Sequence, residues 1–323
     1  MADGAELKRS VQSLIIDLFG RLEVTHGVCV VRATLSYLTL SRGIGEGELN
    51  NLLSLEDNVL ADVYEWWVPP LRTSPPLVLS RLLTDISPYL SRRGDGSGVE
   101  LLSWYHRQFW EACEAYCFNV RTTFTRRKRY RELVEYYSGK WAGRAKPYNT
   151  WLAAVVQRPS SFPGETAGDR MVPAQPLVLQ GSLRDGTSSC IINLRRVRNL
   201  VVYAIHGGEE ARAVEELTSV EYMTAMFASG MGSRLLTEVV DATNAFPASG
   251  AVLRELHQFL GRHMRALRYP TTPGLAAQLV VQEPDASRLL TRFRASEDAR
   301  PSEERWPVLE WAQRPQENLT PKP

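Results

Sequence analysis

The sequence predicts a mainly α-helical chain that contains one small β-hairpin. Apolar residues recur at three- and four-residue steps in most segments, which is the period of an amphipathic helix. Residues 89–93 and 99–104 differ, because they are short extended segments joined by the glycine-rich turn 94–98. Helical segments precede this hairpin, among them the three short helices of a winged-helix plan, and only helical segments follow it. We therefore predict a winged-helix domain with a small β-hairpin over residues 1–120, an α-helical domain over 121–300 and a proline-rich linker or tail over 301–323.

The helices before the hairpin follow from apolar spacing and from stop signals. Ser54 is the predicted N-cap of a helix whose first turn is acidic, where the helix dipole favours negative charge. Pro69 and Pro70 stop that helix. The helix between these prolines and the hairpin is an addition to the winged-helix plan. The predicted helices of this region span residues 6–22, 28–40, 45–53, 56–67 and 77–87.

After the hairpin the pattern is helical throughout. Helices are predicted over 105–119 and 130–138, followed by an exposed loop over 157–168, which is rich in proline, glycine and serine. Short turns at ordinary helix-to-helix spacing then separate the remaining helices. These span residues 194–206, 211–217, 220–228, 233–243, 251–264 and 274–282.

Composition narrows the classes of function. The 323 residues are 44% apolar and 23% charged, as in an ordinary soluble chain. The 38 basic and 36 acidic residues give a formal net charge of +2, so there is no global attraction to nucleic acid or to anionic lipid. The chain shows no signal peptide pattern and no apolar run near the ~20 residues that cross a bilayer. Four widely spaced cysteines indicate reduced thiols, so we expect a cytoplasmic protein without a membrane partner.

His106 lies where the predicted hairpin runs directly into a helix. Backbone N–H groups are unpaired at such a helix start, and an imidazole placed there can meet a neighbouring surface. Tyr105, Phe109, Ala112 and Tyr116 are predicted to share one face of the helix. We interpret His106 as a structural and sensing residue with no catalytic role.

Several segments resemble the winged-helix part of NACHT-type signal-transduction NTPases, a group of the STAND class. They are GELNNLLSLEDNVLADVY at 47–64, WWVPP at 66–70 and WYHRQF at 104–109. The resemblance points toward the large NACHT proteins that carry WD or tetratricopeptide repeats, of the telomerase-associated and nephrocystin-3 kind. DRMVPAQPL at 169–177 and NLRRV at 193–197 are similar to the helical domain that follows the winged helix in that family.

The family's nucleotide-binding core is missing from this sequence. Its phosphate-binding loop needs two glycines before Lys and a following Ser or Thr, whereas Gly139 and Lys140 lack the first glycine and the hydroxyl residue. The chain also stops at Pro323, where the repeats of the family would begin. We therefore expect no enzyme activity and no cofactor. The resemblance implies a non-catalytic regulatory and protein-interaction portion of a NACHT-type switch, either a fragment or a truncated member.

The resemblance also implies a role for His106. In the family, the winged-helix histidine of this motif contacts the β-phosphate of bound ADP and holds the closed state. His106 occupies that motif position, so it would sense nucleotide only together with a separate nucleotide-binding domain. The expected partner is such a domain in trans or another protein. Apolar surface left uncovered by the missing domain also favours homo-oligomerisation.

A basic run suggests an alternative function, a winged-helix protein that binds nucleic acid. Its candidate residues are Arg126, Arg127, Lys128, Arg129 and Arg131. However, the helix that would enter the major groove carries Glu56, Asp57, Asp62 and Glu65, and phosphates would repel it. The two signals conflict, so this function is kept as the alternative.

Metal and catalytic sites have weaker support. Cys113 and Cys117 are four residues apart on one predicted helix, with His106 two turns earlier, but no fourth zinc ligand is evident. We interpret them as buried small apolar residues. His206, Gly207 and Gly208 are similar to an esterase oxyanion loop, but the nucleophile motif G-x-S-x-G is missing. The sequence therefore predicts no metal site and no catalytic residue.

Overall fold

The computed structural model describes residues 11–41, 43–65, 73–96, 98–118, 125–156, 170–184, 190–269 and 274–310. The chain divides into two compact units, Met1–Ala174 and Gln175–Pro323. Both units are mainly helical and each contains a small antiparallel sheet, so the predicted fold class is confirmed at that level. Among the described residues, no helix has both the length and the apolar character needed to cross a membrane.

The first unit is built around a helix that is buried on nearly every side. This helix, α2, carries Val30, Val31, Leu35 and Leu38 in the interior. Most of the other described helices of this unit pack around it, because their apolar stripes need a common partner. The described helices of this unit are α1 (Val11–His26), α2 (Val28–Ser41), α3 (Glu46–Ser54), α4 (Asp57–Tyr64), α5 (Pro76–Ile86), α6 (Arg107–Cys117), α7 (Arg126–Tyr137) and α8 (Thr150–Val156).

A three-stranded antiparallel sheet lies in the first unit, with strand order β1-β3-β2. Its strands are β1 (Ile44–Gly45), β2 (Leu90–Gly94) and β3 (Glu100–Trp104). The predicted hairpin of β2 and β3 is confirmed, and Leu90 pairs with Trp104. Gly96 and Gly98 have φ of 87° and 90°, a region that favours glycine, which explains the glycine-rich turn. The sequence did not predict β1, because two residues are too short for a periodic signal.

Local hydrogen bonds explain where several helices begin. The Glu48 carboxylate accepts a hydrogen bond from the Gly45 backbone N–H at 2.9 Å and so caps α3. Thr125 Oγ1 accepts from the Lys128 backbone N–H at 3.2 Å at the start of α7. α5 begins with Pro76, which lacks the N–H that a first helical position would leave unpaired.

The first compact unit extends well beyond the predicted domain end at residue 120. α7 buries Tyr136 and Tyr137 in this unit. Further along the chain, Arg170 is fully buried and pairs with Asp57 at the start of α4. The Lys146 ammonium donates to the Leu55 carbonyl at 2.8 Å. These contacts attach residues far beyond 120 to the helices of the first unit.

The second unit contains seven described helices and a two-stranded sheet. All six helices predicted from residue 194 onward are confirmed, whereas the hairpin and the last helix were not predicted. Gly208 (φ 69°) ends the first of these helices, which gives the predicted His206-Gly207-Gly208 segment a structural role. The elements are β4 (Val178–Gln180), β5 (Ile191–Ile192), α9 (Leu194–Gly207), α10 (Glu210–Leu217), α11 (Val220–Ala228), α12 (Gly232–Ala245), α13 (Gly250–Arg268), α14 (Leu275–Val281) and α15 (Arg288–Asp298).

Several predictions lie wholly or partly outside the described residues, among them one end of each helix predicted over 6–22, 56–67 and 105–119. The predicted loop over 157–168 falls in the gap between 156 and 170. The predicted tail over 301–323 is described only as far as residue 310. Its first part belongs to the second unit, because Trp306 is only 3% exposed. The Trp306 indole N–H donates to the Glu221 carboxylate at 2.8 Å, which fixes this segment on α11.

Candidate interaction site at the hairpin-to-helix junction

His106 is the residue that connects β3 to α6. It is the N-cap of α6, with extended backbone angles (φ −118°, ψ 141°), and its side chain makes no capping hydrogen bond. The Tyr105 backbone N–H donates to the Tyr89 carbonyl at 2.9 Å, so the hairpin ladder ends one residue earlier. The His106 side chain is exposed. The geometry therefore presents an imidazole at the surface from a fixed backbone position.

Stacked aromatic rings pack against this junction. Phe109 stacks on Tyr89 with ring centroids 4.7 Å apart and on Trp104 at 5.7 Å. Such pairs stabilise a packed cluster beyond the area that they bury. Tyr105 was predicted to share this face, and that prediction is wrong. Tyr105 precedes the helix, is 65% exposed and meets the His106 ring edge to face at 4.5 Å.

Two indole hydrogen bonds attach the junction to α2. The Trp104 N–H donates to Thr39 Oγ1 at 2.9 Å, and the Trp110 N–H donates to the Thr39 carbonyl at 3.1 Å. Thr39 was not singled out from the sequence, since a threonine inside a buried helix carries no functional pattern. A surface cavity of about 220 Å³ adjoins His106. Its lining consists of Leu38, Thr39, Ser103, Trp104, His106, Arg107 and Trp110.

The two cysteines of α6 are buried and face α2. Their sulfur atoms lie 3.6 Å apart, and Cys113 Sγ lies 3.3 Å from the Leu35 carbonyl. Burial raises the pKa of the Cys113 thiol well above its ordinary value, so this thiol is protonated in its apolar surroundings. This environment supports the interpretation of Cys113 and Cys117 as packing residues.

The predicted basic run is divided by the fold, because Arg129 points into the first unit. Arg129 is fully buried and forms ion pairs with Glu56 and, at 2.8 Å, with Glu132. The Tyr37 hydroxyl lies 2.5 Å from Glu56 and 3.1 Å from Glu132, which completes a buried network. Burial and the nearby Glu132 charge raise the pKa of Tyr37 well above its ordinary value. Arg129 therefore cannot serve as a phosphate contact, and this part of the prediction is corrected.

The other residues of the basic run lie at the surface of α7. Arg126 pairs with Glu114 at 2.5 Å, and the Lys128 ammonium lies 3.8 Å from Glu132. Arg127 and Arg131 are exposed. Two intramolecular carboxylates thus already neutralise part of the charge that the nucleic-acid hypothesis relied on.

The acidic residues of α4 also have internal partners. Glu56 pairs with Arg129, and Asp57 pairs with Arg170. The Asp62 carboxylate accepts a hydrogen bond from the Cys29 backbone N–H at 3.0 Å. These three carboxylates bind this helix to its own unit. The predicted conflict between acidic helix and basic run is thus resolved in part by direct pairing of the two.

Comparison with known proteins finds relatives of one class. The chain is related in sequence to proteins that carry a NACHT domain and WD repeats, which supports the predicted relationship to the NACHT family. It is 36% identical over 216 residues to NACHT domain- and WD repeat-containing protein 1 of Homo sapiens, and 34% identical over 215 residues to the protein of that name in Mus musculus. Each alignment covers 65% of this chain and 12% of the relative. The chain therefore spans a small part of these proteins.

No family model matches the chain, and no solved structure matches it.

Proposed function

We propose that the chain is the winged-helix and helical portion of a NACHT-type STAND switch, with a regulatory and non-catalytic role. The order of elements in the first unit supports this. Helix α2, strand β1, helices α3 and α4 and then the β2–β3 hairpin form a compact unit whose sheet order is β1-β3-β2. In this proposal the hairpin is the wing, and α5 is the addition to the plan. The relationship to NACHT- and WD-repeat proteins supports the same assignment.

The observation that carries the proposal is the exposed imidazole of His106 on a stiff support. Stacked aromatic rings and two indole hydrogen bonds to Thr39 hold the backbone beneath it. An imidazole that donates to a phosphate forms a charge-assisted hydrogen bond worth ~1.5–3 kcal/mol. A difference of that size shifts a two-state equilibrium by an order of magnitude or more. His106 would therefore report nucleotide held by a separate domain.

Gly139 and Lys140 do not form a phosphate loop. They follow α7 at its C-terminal end, whereas phosphate loops lead into a helix N-terminus. The Gly139 N–H donates to the Tyr136 carbonyl at 3.0 Å, which closes the last turn. The Lys140 ammonium pairs with Glu135 at 2.6 Å. These contacts support the proposal that the chain relies on a partner to bind nucleotide.

A calorimetric titration with the NACHT domain of the human relative tests the proposal. We expect the chain to bind that domain more tightly with ADP than without it, because His106 contributes only when phosphate is present. His106→Ala should reduce the ADP-dependent gain by about tenfold, the loss of one charge-assisted hydrogen bond. Arg92→Ala is the matched control, since Arg92 is an exposed cation of the same hairpin that pairs with Glu100 and does not line the cavity beside His106.

Equal affinity with and without ADP would contradict the proposal. An equal loss for His106→Ala and Arg92→Ala would also contradict it, since a general surface effect would then explain both variants.

A further inference from the structure

The outward face of α13 forms a row of cationic and polar side chains. Arg254, Gln258, Gly261, Arg265 and Arg268 recur at three- and four-residue steps, and all of them are exposed. The opposite face is buried in the second unit. At ~1.5 Å per residue, the row from Arg254 to Arg268 extends about 21 Å along the helix axis.

The first turns of α15 add two arginines beside one end of this row. Arg288 and Arg292 line a surface cavity of about 360 Å³ together with Ser249 and Ala251 at the start of α13. The Arg254 side chain folds back toward the start of α13, because a Cβ added to Gly250 would lie 3.0 Å from Arg254 Nη1. Two guanidinium groups therefore line this depression, and a third lies near the start of α13. We call the set Arg254, Arg265, Arg268, Arg288 and Arg292 the arginine face.

The nearby carboxylates are already engaged. Glu255 accepts hydrogen bonds from the backbone N–H groups of Arg288 and Leu289 at 3.2 and 3.3 Å, so its charge serves to cap α15. Its distance to the Arg288 guanidinium is 3.9 Å. Glu210 accepts from the Ser249 hydroxyl at 2.6 Å. These two carboxylates keep their charge, but the five guanidinium groups of the arginine face outnumber them.

Most of the arginine face has no ionic partner among the residues that the structure describes. Arg254, Arg265, Arg268 and Arg292 form no ion pair with any residue that the structure describes. Elsewhere in the second unit, arginines pair closely with carboxylates, as Arg196 does with Glu216 at 2.9 Å. An accumulation of unpaired arginines on one side is costly in self-repulsion, and an anionic ligand would offset that cost.

We propose that the arginine face binds single-stranded nucleic acid. Protein interfaces bury apolar and aromatic anchors and exclude charge from their centre. The row from Arg254 to Arg268 contains no large exposed apolar side chain, whereas interfaces with nucleic acid are polar and strongly positive. A flexible phosphate backbone can follow a straight row of arginines. Tyr269 supplies the aromatic surface on which an unpaired base stacks.

Tyr269 has the exposure and the position that base stacking needs. It is 69% exposed and directly follows α13. The Arg268 guanidinium lies 5.7 Å from its ring centroid, so a phosphate contact and a stacking surface are adjacent. A base in a duplex is already stacked on its neighbours. This aromatic contact therefore favours a single strand.

Fluorescence anisotropy with a labelled 20-nucleotide oligouridylate, an unstructured probe, tests the proposal on the full chain. We expect binding whose logarithm falls linearly with the logarithm of salt concentration, with a slope of about −0.7 for each phosphate neutralised. Gly261→Glu should weaken binding at low salt by about tenfold, because it places a negative charge in the middle of the row. Gly261→Ala should leave affinity unchanged. A Cβ at Gly261 meets no atom within 4 Å, so both variants should fold.

Two double variants that each remove two charges locate the site. Arg254→Ala with Arg265→Ala should weaken binding by about tenfold and make the salt slope shallower. Arg127→Ala with Arg131→Ala removes the same charge from α7 of the first unit and should have no effect. Tyr269→Ala should weaken binding of the single strand without changing the salt slope.

Three outcomes would overturn the proposal. One is equal loss from the two double variants. Another is tight binding by Gly261→Glu. The third is binding of a duplex or of polyglutamate as tight as that of the oligouridylate, which would indicate general attraction of polyanions. None of these results depends on His106 or on the proposed NACHT partner, so the two proposals fail separately.

Discussion

At the scale of single residues, the buried guanidinium of Arg129 compensates the charge of two carboxylates inside the first unit. Its guanidinium is buried with Glu56 and Glu132, and its centre lies 5.0 Å from the Tyr37 ring centroid. A buried ion pair adds little net stability compared with well-packed apolar residues. Removal of one partner is costly, because the other charge remains buried without compensation.

We predict that Arg129→Ala lowers the free energy of unfolding by about 3–5 kcal/mol, since Glu56 would lose its counter-charge. Urea denaturation followed by circular dichroism measures this change. Arg127→Ala, on the exposed side of the same helix, should change stability by less than about 0.5 kcal/mol. The double variant Arg129→Met with Glu56→Gln should recover part of the loss, because it removes both charges of the pair.

A small effect of Arg129→Ala, equal to that of Arg127→Ala, would contradict the buried network. Lack of recovery in the double variant would show that the loss comes from packing alone.

The orientation of single charged side chains was the feature least predictable from the sequence. A run of five cations between Arg126 and Arg131 looks continuous in the sequence, yet helical geometry turns Arg129 inward and its neighbours outward. The arginine face was missed for the opposite reason, because its three members on α13 are spread over fourteen positions, from Arg254 to Arg268. Charge that is clustered in space can therefore be dispersed in sequence, and the reverse holds too.

At the scale of elements, two glycines in helices have opposite environments. Gly20 lies within α1, and a Cβ added there meets no atom within 4 Å. Gly232 is the first residue of α12, and a Cβ there would overlap the Phe227 ring, with Cδ1 at 2.7 Å. Gly20 therefore weakens α1 although no neighbouring atom requires a glycine there. Gly232, in contrast, leaves room for the Phe227 ring of α11 beside α12.

We predict that Gly20→Ala raises the free energy of unfolding by about 0.5–1 kcal/mol, because alanine loses less backbone freedom in a helix. Gly232→Ala should lower it by about 1–3 kcal/mol through overpacking against Phe227. Thermal or urea unfolding of the two variants measures both changes, and each variant serves as the control for the other. Shifts of the same sign would contradict the described packing.

The long amphipathic elements could be predicted, and the short ones could not. The glycine-rich turn predicted the β2–β3 hairpin, and apolar spacing predicted the six helices from residue 194 onward. β1, β4 and β5 have two or three residues each, which is too few for any period to show. α15 was missed because Leu289, Leu290 and Phe293 are its only buried apolar residues among three arginines and two acidic residues.

At the scale of the whole molecule, the division of the chain depends on contacts that are distant in sequence. The predicted end of the first domain at residue 120 followed the end of a helical pattern. The compact unit continues to Ala174, because Arg170 pairs with Asp57 and the Lys146 ammonium meets the Leu55 carbonyl. Pairings over 90 or more residues leave no local signal, so sequence patterns could not reveal them.

The position of the candidate site could be predicted from the sequence, but the contacts that hold His106 in place could not. The sequence put His106 at the hairpin-to-helix junction, and the structure places it there with an exposed side chain. The Thr39 hydrogen bonds and the Tyr89–Phe109–Trp104 stack beneath it come from three separate segments. Their meeting is a property of the tertiary fold.

A calorimetric titration of ADP and ATP, each with magnesium, into the isolated chain tests the central claim most directly. The claim is that this chain presents a nucleotide-sensing histidine but relies on a partner for nucleotide. We predict no heat of binding up to millimolar nucleotide, because Lys140 pairs with Glu135 at the end of α7 and forms no phosphate loop. Micromolar binding of either nucleotide to the chain alone would contradict the claim.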